Sequence, residues 1–186
     1  INYTGGERTR SECMFHYQIG SLEEEPPILA RRLAQRGLRS AAVIHDHSPV
    51  GHGYARCFED ARALEGIETT GVAAISPLSE DLRPVVARLR ETGPDALVYL
   101  GLGVASRAVA LALADLGWSV PVMANSSLMF GYARPDWRDG WAGWEYLDGV
   151  ADDNQTRAHL REKSKRAAGG PIGCAAYDMG RLLGEA

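Results

Sequence analysis

Four short apolar runs alternate with segments of helical periodicity, and this alternation limits the chain to few folds. The runs are Ala41-Ala42-Val43-Ile44, residues 67–75, Asp95-Ala96-Leu97-Val98-Tyr99-Leu100-Gly101, and Val120-Pro121-Val122-Met123-Ala124. The first reads as a strand buried on both faces, 67–75 as a β-rich run, 95–101 as a buried strand, and 120–124 as a strand with Pro121 near its start. Between them, apolar residues recur three and four apart. Ile28, Leu29, Leu33 and Ala34 mark a helix over 22–36. Tyr54, Cys57, Phe58, Ala61 and Leu64 mark one over 51–64, and Leu82, Val85, Val86 and Leu89 one over 80–91. A fourth is predicted over 104–116. Ser21 is the expected cap of the first helix. Glu23, Glu24 and Glu25 suit the positive end of its dipole, and Gly37 and Gly117 are natural stops. Strands alternating with helices predict an α/β fold, a doubly wound, mostly parallel sheet in a flavodoxin- or Rossmann-like three-layer sandwich.

The ends are less regular. Residues 1–20 read as irregular, with an extended piece at 14–18. Residues 125–145, rich in Gly, Trp and Arg, read as a surface excursion whose Trp137, Trp141 and Trp144 either cap a ligand cleft or, the favoured reading, pack the loop onto the body. A fifth, edge strand is expected at 146–150, a polar helix at 154–168, and a last helix at 175–186. The chain has no initiator Met and opens on a loop-like Ile1-Asn2-Tyr3-Thr4-Gly5-Gly6, so it reads as the middle of a longer polypeptide. Its 186 residues suit one domain, and the formal charge of −4 argues against nucleic acid as a partner. Cys13, Cys57 and Cys174 have no short spacing. They allow one disulfide but read first as three free thiols packed as small apolar groups.

Familiar chemistries fail at particular residues. Gly101-Leu102-Gly103 follows a strand and opens a helix, as a dinucleotide fingerprint does, but Ser106 replaces the third glycine and Asn125 stands where a ribose-binding acid belongs. His45-Asp46-His47 with His52 has metal-ligand character, yet no HExxH helix or acidic cluster completes a set. There is no GxSxG elbow and no P-loop. The reading is therefore no catalytic residue, no cofactor and no metal.

In an open parallel sheet, ligands lie beyond the carboxyl ends of the strands, where the strand order reverses. With a flavodoxin-like order 2-1-3-4-5, that crevice lies between the first and third strands. It is bordered by residues 45–50 and 101–104, with Asn125-Ser126-Ser127 next to it. These loops carry glycines and small polar residues, which suit hydrogen bonding and close backbone approach.

Six stretches resemble the Leu/Ile/Val-type periplasmic binding proteins, the type I solute-binding proteins of ABC transporters. Residues 39–55, from Arg39-Ser40-Ala41-Ala42-Val43-Ile44-His45-Asp46 to Gly51-His52-Gly53-Tyr54-Ala55, are similar to that family's first strand and loop of this lobe. Glu65-Gly66-Ile67-Glu68 is similar to the start of its second strand, and 79–89 to its "x-x-D-f-s-x-x-v-x-k-l" helix. Gly93-Pro94-Asp95-Ala96-Leu97-Val98-Tyr99 resembles its "g-p-D-a-v" strand. Leu116-Gly117-Trp118-Ser119-Val120-Pro121-Val122 resembles "l-G-l-x-x-p-v", and Ala176-Tyr177-Asp178 the start of a helix. The pieces occur in order over residues 8–186.

The resemblance implies a C-terminal lobe. Residues 1–20 would be an interlobe hinge, 21–170 the ligand-binding lobe, and 171–186 a helix leading back toward an N-terminal lobe outside this chain. It implies capture of a small polar solute (an amino acid, an amide or a related small organic molecule) between two lobes. It also implies an ABC permease as partner and a periplasmic or extracellular location, with lipid anchoring open. The same fold in a sensor, or in a doubly wound enzyme, would be the alternatives. The matched ligand-binding positions are Ser48, Val50, Gly103, Asn125 and Ser126. Relatives often place an aromatic at the first two loops and an acid after the fourth strand, where this chain has Val50, Gly103 and Ser126. The lobe is therefore expected to offer neutral hydrogen bonds, with Asp46 orienting its own loop and Glu145 or Asp178 as the other candidate acids.

Overall fold

A computed structural model describes residues 23–101, 103–128, 135–163 and 170–184. The elements are α1 (Glu25–Gln35), β1 (Ser40–Asp46), α2 (Pro49–Leu64), β2 (Glu68–Ile75), α3 (Arg83–Glu91), β3 (Ala96–Leu100), α4 (Gly103–Asp115), β4 (Val122–Ala124), α5 (Pro135–Gly140), β5 (Glu145–Tyr146), α6 (Gln155–Lys163) and α7 (Pro171–Gly184). The sheet order is β2-β1-β3-β4-β5, and every pairing is parallel. The α/β doubly wound reading and the flavodoxin-like order both hold.

Strands β1 and β3 are buried almost throughout because they are covered twice, whereas the edge strand β2 exposes Glu68, Val72 and Ala74. In β1, Ala41 and Val43 face a layer built from Leu29, Leu33, Phe58 and Ala61 of α1 and α2. Their neighbours Ala42 and Ile44 face Val86, Leu89, Ala105 and Val109 of α3 and α4 on the other side. In β3, Ala96, Val98 and Leu100 point to the first layer and Leu97 and Tyr99 to the second. The period-two alternation thus sorts one apolar run into two cores.

Several boundaries differ from expectation. Strand β4 begins only at Val122. Pro121, which has no N–H to give, contributes its carbonyl to Leu97 N at 2.8 Å instead. Strand β5 covers Glu145–Tyr146 rather than 146–150, because the chain turns away after Leu147 and Asp148 engages Arg157 of α6. Helix α7 starts at Pro171, four residues earlier than expected, since proline at a helix start loses no hydrogen bond. Helix α6 is described to Lys163, and residues 164–169 lie outside the described residues. So do the proposed hinge 1–20 with its extended piece at 14–18, Ser21 and Cys13. Cys57 is half-buried and Cys174 is buried.

Gly37 and Gly117 end α1 and α4 with φ of +73° and +56°, conformations that side chains resist. The tryptophans pack as expected. Trp141 is buried, and Trp137 and Trp144 lie against the α3/α4 layer. Trp144 borders Trp118, Ser119 and Val120, at the amino end of β4 and away from the predicted crevice.

At that amino edge, Asp95 ties the starts of β1 and β3 together. One carboxylate oxygen accepts from Arg39 N and Ser40 N, both at 2.9 Å, while Asp95 N donates to Ser40 Oγ at 3.0 Å. The Arg39 and Ser40 amides hold the carboxyl below its ordinary range. A depressed carboxyl stabilises the fold above its unfolded pKa and loses that contribution as pH falls through the folded value. Asp95→Asn should therefore lower the melting temperature at neutral pH. The gap to wild type should close as pH is brought below the carboxyl range. A gap of constant size across a pH series of thermal melts would refute this account.

Candidate functional site

The carboxyl end of β1 is built as a tight turn. Asp46, 1% exposed, closes the strand, and its Oδ1 accepts from Ser48 N at 2.9 Å. Ser48 then caps α2, its Oγ accepting from Gly51 N at 3.1 Å. Gly51 lies so close that a Cβ there would stand 2.1 Å from the Asp46 carbonyl oxygen. Asp46 therefore orients its own loop, as expected. The two histidines join the same turn: His45 Nδ1 donates to the Asp46 carbonyl at 2.8 Å, and the His45 ring meets His52 edge-on. Among the described residues, no group of three or more His, Cys, Asp and Glu is placed to hold a metal ion.

The end of β3 presses on this turn. Gly101 is buried between the Tyr99 ring and Asp46 N, and a Cβ there would be 3.1 and 3.4 Å from them. Burial, helped by the negative charge of Asp46, drives the Tyr99 hydroxyl pKa upward. The hydroxyl stays protonated at any physiological pH.

The end of β4 carries the least expected feature. Asn125, Ser126 and Ser127 are all buried. Ser127 Oγ donates to Asn125 Oδ1 at 2.7 Å. Ser126 gives both of its donors to Glu25, the first residue of α1: its N–H to Oε2 at 2.9 Å and its Oγ–H to Oε1 at 2.7 Å. The Tyr54 hydroxyl of α2 lies within hydrogen-bonding reach of Glu25, Asn125 and Ser126. Glu25 is 4% exposed. Burial raises its carboxyl pKa, although the Ser126 and Tyr54 hydrogen bonds pull the other way. Elements far apart in sequence thus meet on one carboxylate.

Of the predicted positions, Asn125 and Ser126 sit together in this network. Ser48 has turned its hydroxyl to the α2 cap, and Val50 is exposed in the first turn of α2. Gly103 opens α4. The lobe is not free of charge near these positions, because an acid lies 2.7 Å from Ser126. The acids suggested for that part are engaged elsewhere: Glu145 with Arg32 and Arg36, and Asp178 with Thr156. Glu25 reads from sequence as a dipole-facing acid and Tyr54 as one apolar position in a helical stripe. The available signal is Tyr54 itself, since a tyrosine turned inward on a stripe needs a polar partner for its hydroxyl.

Neither a family model nor a curated protein matches the sequence. Solved structures do match the chain trace. A solute-binding protein of an ABC transporter from Rhodopseudomonas palustris, in complex with 4-hydroxybenzoate, superposes with a TM-score of 0.73 at 18% identity, over 89% of this chain and 48% of its own. This is the fold of one lobe of a type I periplasmic binding protein. A periplasmic binding protein type 1 from Bordetella pertussis Tohama I shares the lobe at a TM-score of 0.70 and 19% identity, over 83% of this chain and 41% of its own. An ABC transporter substrate-binding protein from Desulfitobacterium hafniense shares it at 0.64 and 21%, over 90% and 50%. The lobe thus spans half or less of the length of each of these proteins.

Proposed function

We propose that this lobe belongs to the solute-binding component of an ABC-type importer, where it and a second lobe close on a small polar solute. The observation that carries the reading is the polar network at the carboxyl edge of the sheet, the place where a fold of this class takes its ligands. Ser48, Val50 and Gly103 border the crevice from the amino ends of α2 and α4, and Asn125 and Ser126 border it from the β4 turn. The role is binding rather than catalysis: the polar groups are spent on holding one another in place. Residues 1–20 and 171–186 would be the crossings to the second lobe. The solute is an amino acid, an amide or a small organic acid of the kind held by the Rhodopseudomonas palustris protein. Closure would present a new surface to a membrane permease in the periplasm or outside the cell.

The clamp has a measurable consequence. A single lobe offers half the contacts and leaves them in water. Losing about two net hydrogen bonds, each worth about 1–1.5 kcal/mol, weakens binding about 100-fold. Calorimetry on this 186-residue chain and on a longer polypeptide carrying both lobes should show that difference for whichever solute the longer protein retains. Equal affinities would rule out the two-lobe clamp.

A further inference from the structure

Glu25 takes up every donor that Ser126 has. The backbone N–H goes to one carboxylate oxygen and the hydroxyl proton to the other. An ionised carboxylate only accepts, so the direction of both bonds is determined. Ser126 Oγ is left with lone pairs alone. Ser127 Oγ donates to Asn125 Oδ1, and the Tyr54 hydroxyl interacts with Glu25, Asn125 and Ser126. We propose that Glu25 is a positioning residue that sets the hydrogen-bond polarity of the β4 turn, so that Ser126 accepts from the solute and the lobe prefers a group that donates, such as an amide N–H, an ammonium or a hydroxyl, over a carboxylate. This proposal rests on the solute-binding reading above.

The polarity reverses when Glu25 gains a proton. A neutral carboxyl can donate to Ser126 Oγ, which frees the Ser126 hydroxyl proton for the solute. Among the described residues, the groups that act on Glu25 are Glu24 on its own helix, Tyr54 from α2 and Ser126 from the β4 turn, none of them a cation. Glu24 and burial both favour the neutral form, so the reversal comes at a higher pH than for an ordinary glutamate.

Glu25→Gln tests this without dismantling the turn. The amide oxygen can still accept from Ser126 N, while the amide N–H₂ must donate to Ser126 Oγ. The probes are 4-hydroxybenzamide and 4-hydroxybenzoate, which differ only in offering a donor or a carboxylate, measured on the two-lobe protein. Wild type at neutral pH should favour the amide relative to Glu25→Gln by about ten-fold, the worth of one reversed hydrogen bond. Lowering the pH should carry wild type, but not the variant, toward the carboxylate. In parallel, the Ser126 amide proton of ¹⁵N-labelled protein should titrate with Glu25 in wild type and stay flat in the variant. A Ser126 amide that ignores Glu25, or equal selectivity in both proteins, overturns the positioning role. If wild type binds neither these probes nor any co-purifying solute, the solute-binding reading itself fails, and the Ser126 amide still decides whether Glu25 controls the turn.

Discussion

Gly51→Ala should cost about 3 kcal/mol of stability, at the upper end of what overpacking usually costs. The added methyl would lie 2.1 Å from the Asp46 carbonyl oxygen and 2.6 Å from Asp46 Oδ1. Neither atom can yield cheaply. The carbonyl belongs to the last residue of β1, a strand paired on both sides, and Oδ1 holds Ser48 N. Relief would require α2 to back away from the strand, breaking the Ser48 cap on Gly51 N and uncovering Phe58. Urea unfolding should show a lower midpoint with an unchanged slope. A useful contrast is Gly180→Ala in α7, where a Cβ meets nothing within 4 Å. There alanine should stabilise by about 0.5–1 kcal/mol through helix propensity alone. A loss below about 1 kcal/mol at Gly51 would mean that the turn is softer than its geometry indicates.

Arg157→Ala should cost about 2–3 kcal/mol. Arg157 is 1% exposed, on a helix whose sequence reads as polar. Its Nη2 donates to both Asp148 oxygens at 2.7 Å and its Nη1 to Asp152 at 3.1 Å, and it reaches the Cys174 thiol of α7. Removing one member of a buried pair leaves the other desolvated and costs about 3–5 kcal/mol. The figure falls here because Asp148 keeps 27% of its side chain open and can rehydrate. Arg157→Lys should recover only part of the loss, since one ammonium cannot serve Asp148 and Asp152 together. In the double variant with Asp148→Ala the losses should be less than additive, and strict additivity would show that the pair is not coupled.

Much of the architecture is legible in local sequence. Short apolar runs bounded by glycines and helical stripes can be satisfied only by strands covered on both faces, and such strands are parallel because helices must cross between them. The parallel sheet and the helix stops at Gly37 and Gly117 follow from that pattern, whereas the order β2-β1-β3-β4-β5 does not, since the same alternation admits other doubly wound orders. The place of Asn125 and Ser126 is legible for the same reason: a residue just after a parallel strand lies at the carboxyl edge whatever its neighbours are.

The partners of those residues come only from the folded chain. Glu25 and Ser126 are 101 positions apart, and no periodicity marks an acid at the start of α1 as one that turns inward rather than toward solvent. Arg157 is hidden in the same way, on a helix with no apolar stripe strong enough to show which side is inside. Patterning reports which face of an element is buried, because the hydrophobic effect is large and non-directional. Which polar group sits against which is decided by distances of 3 Å between distant segments, and these exist only once the sheet has assembled and brought α1, α2 and the β4 turn to one point.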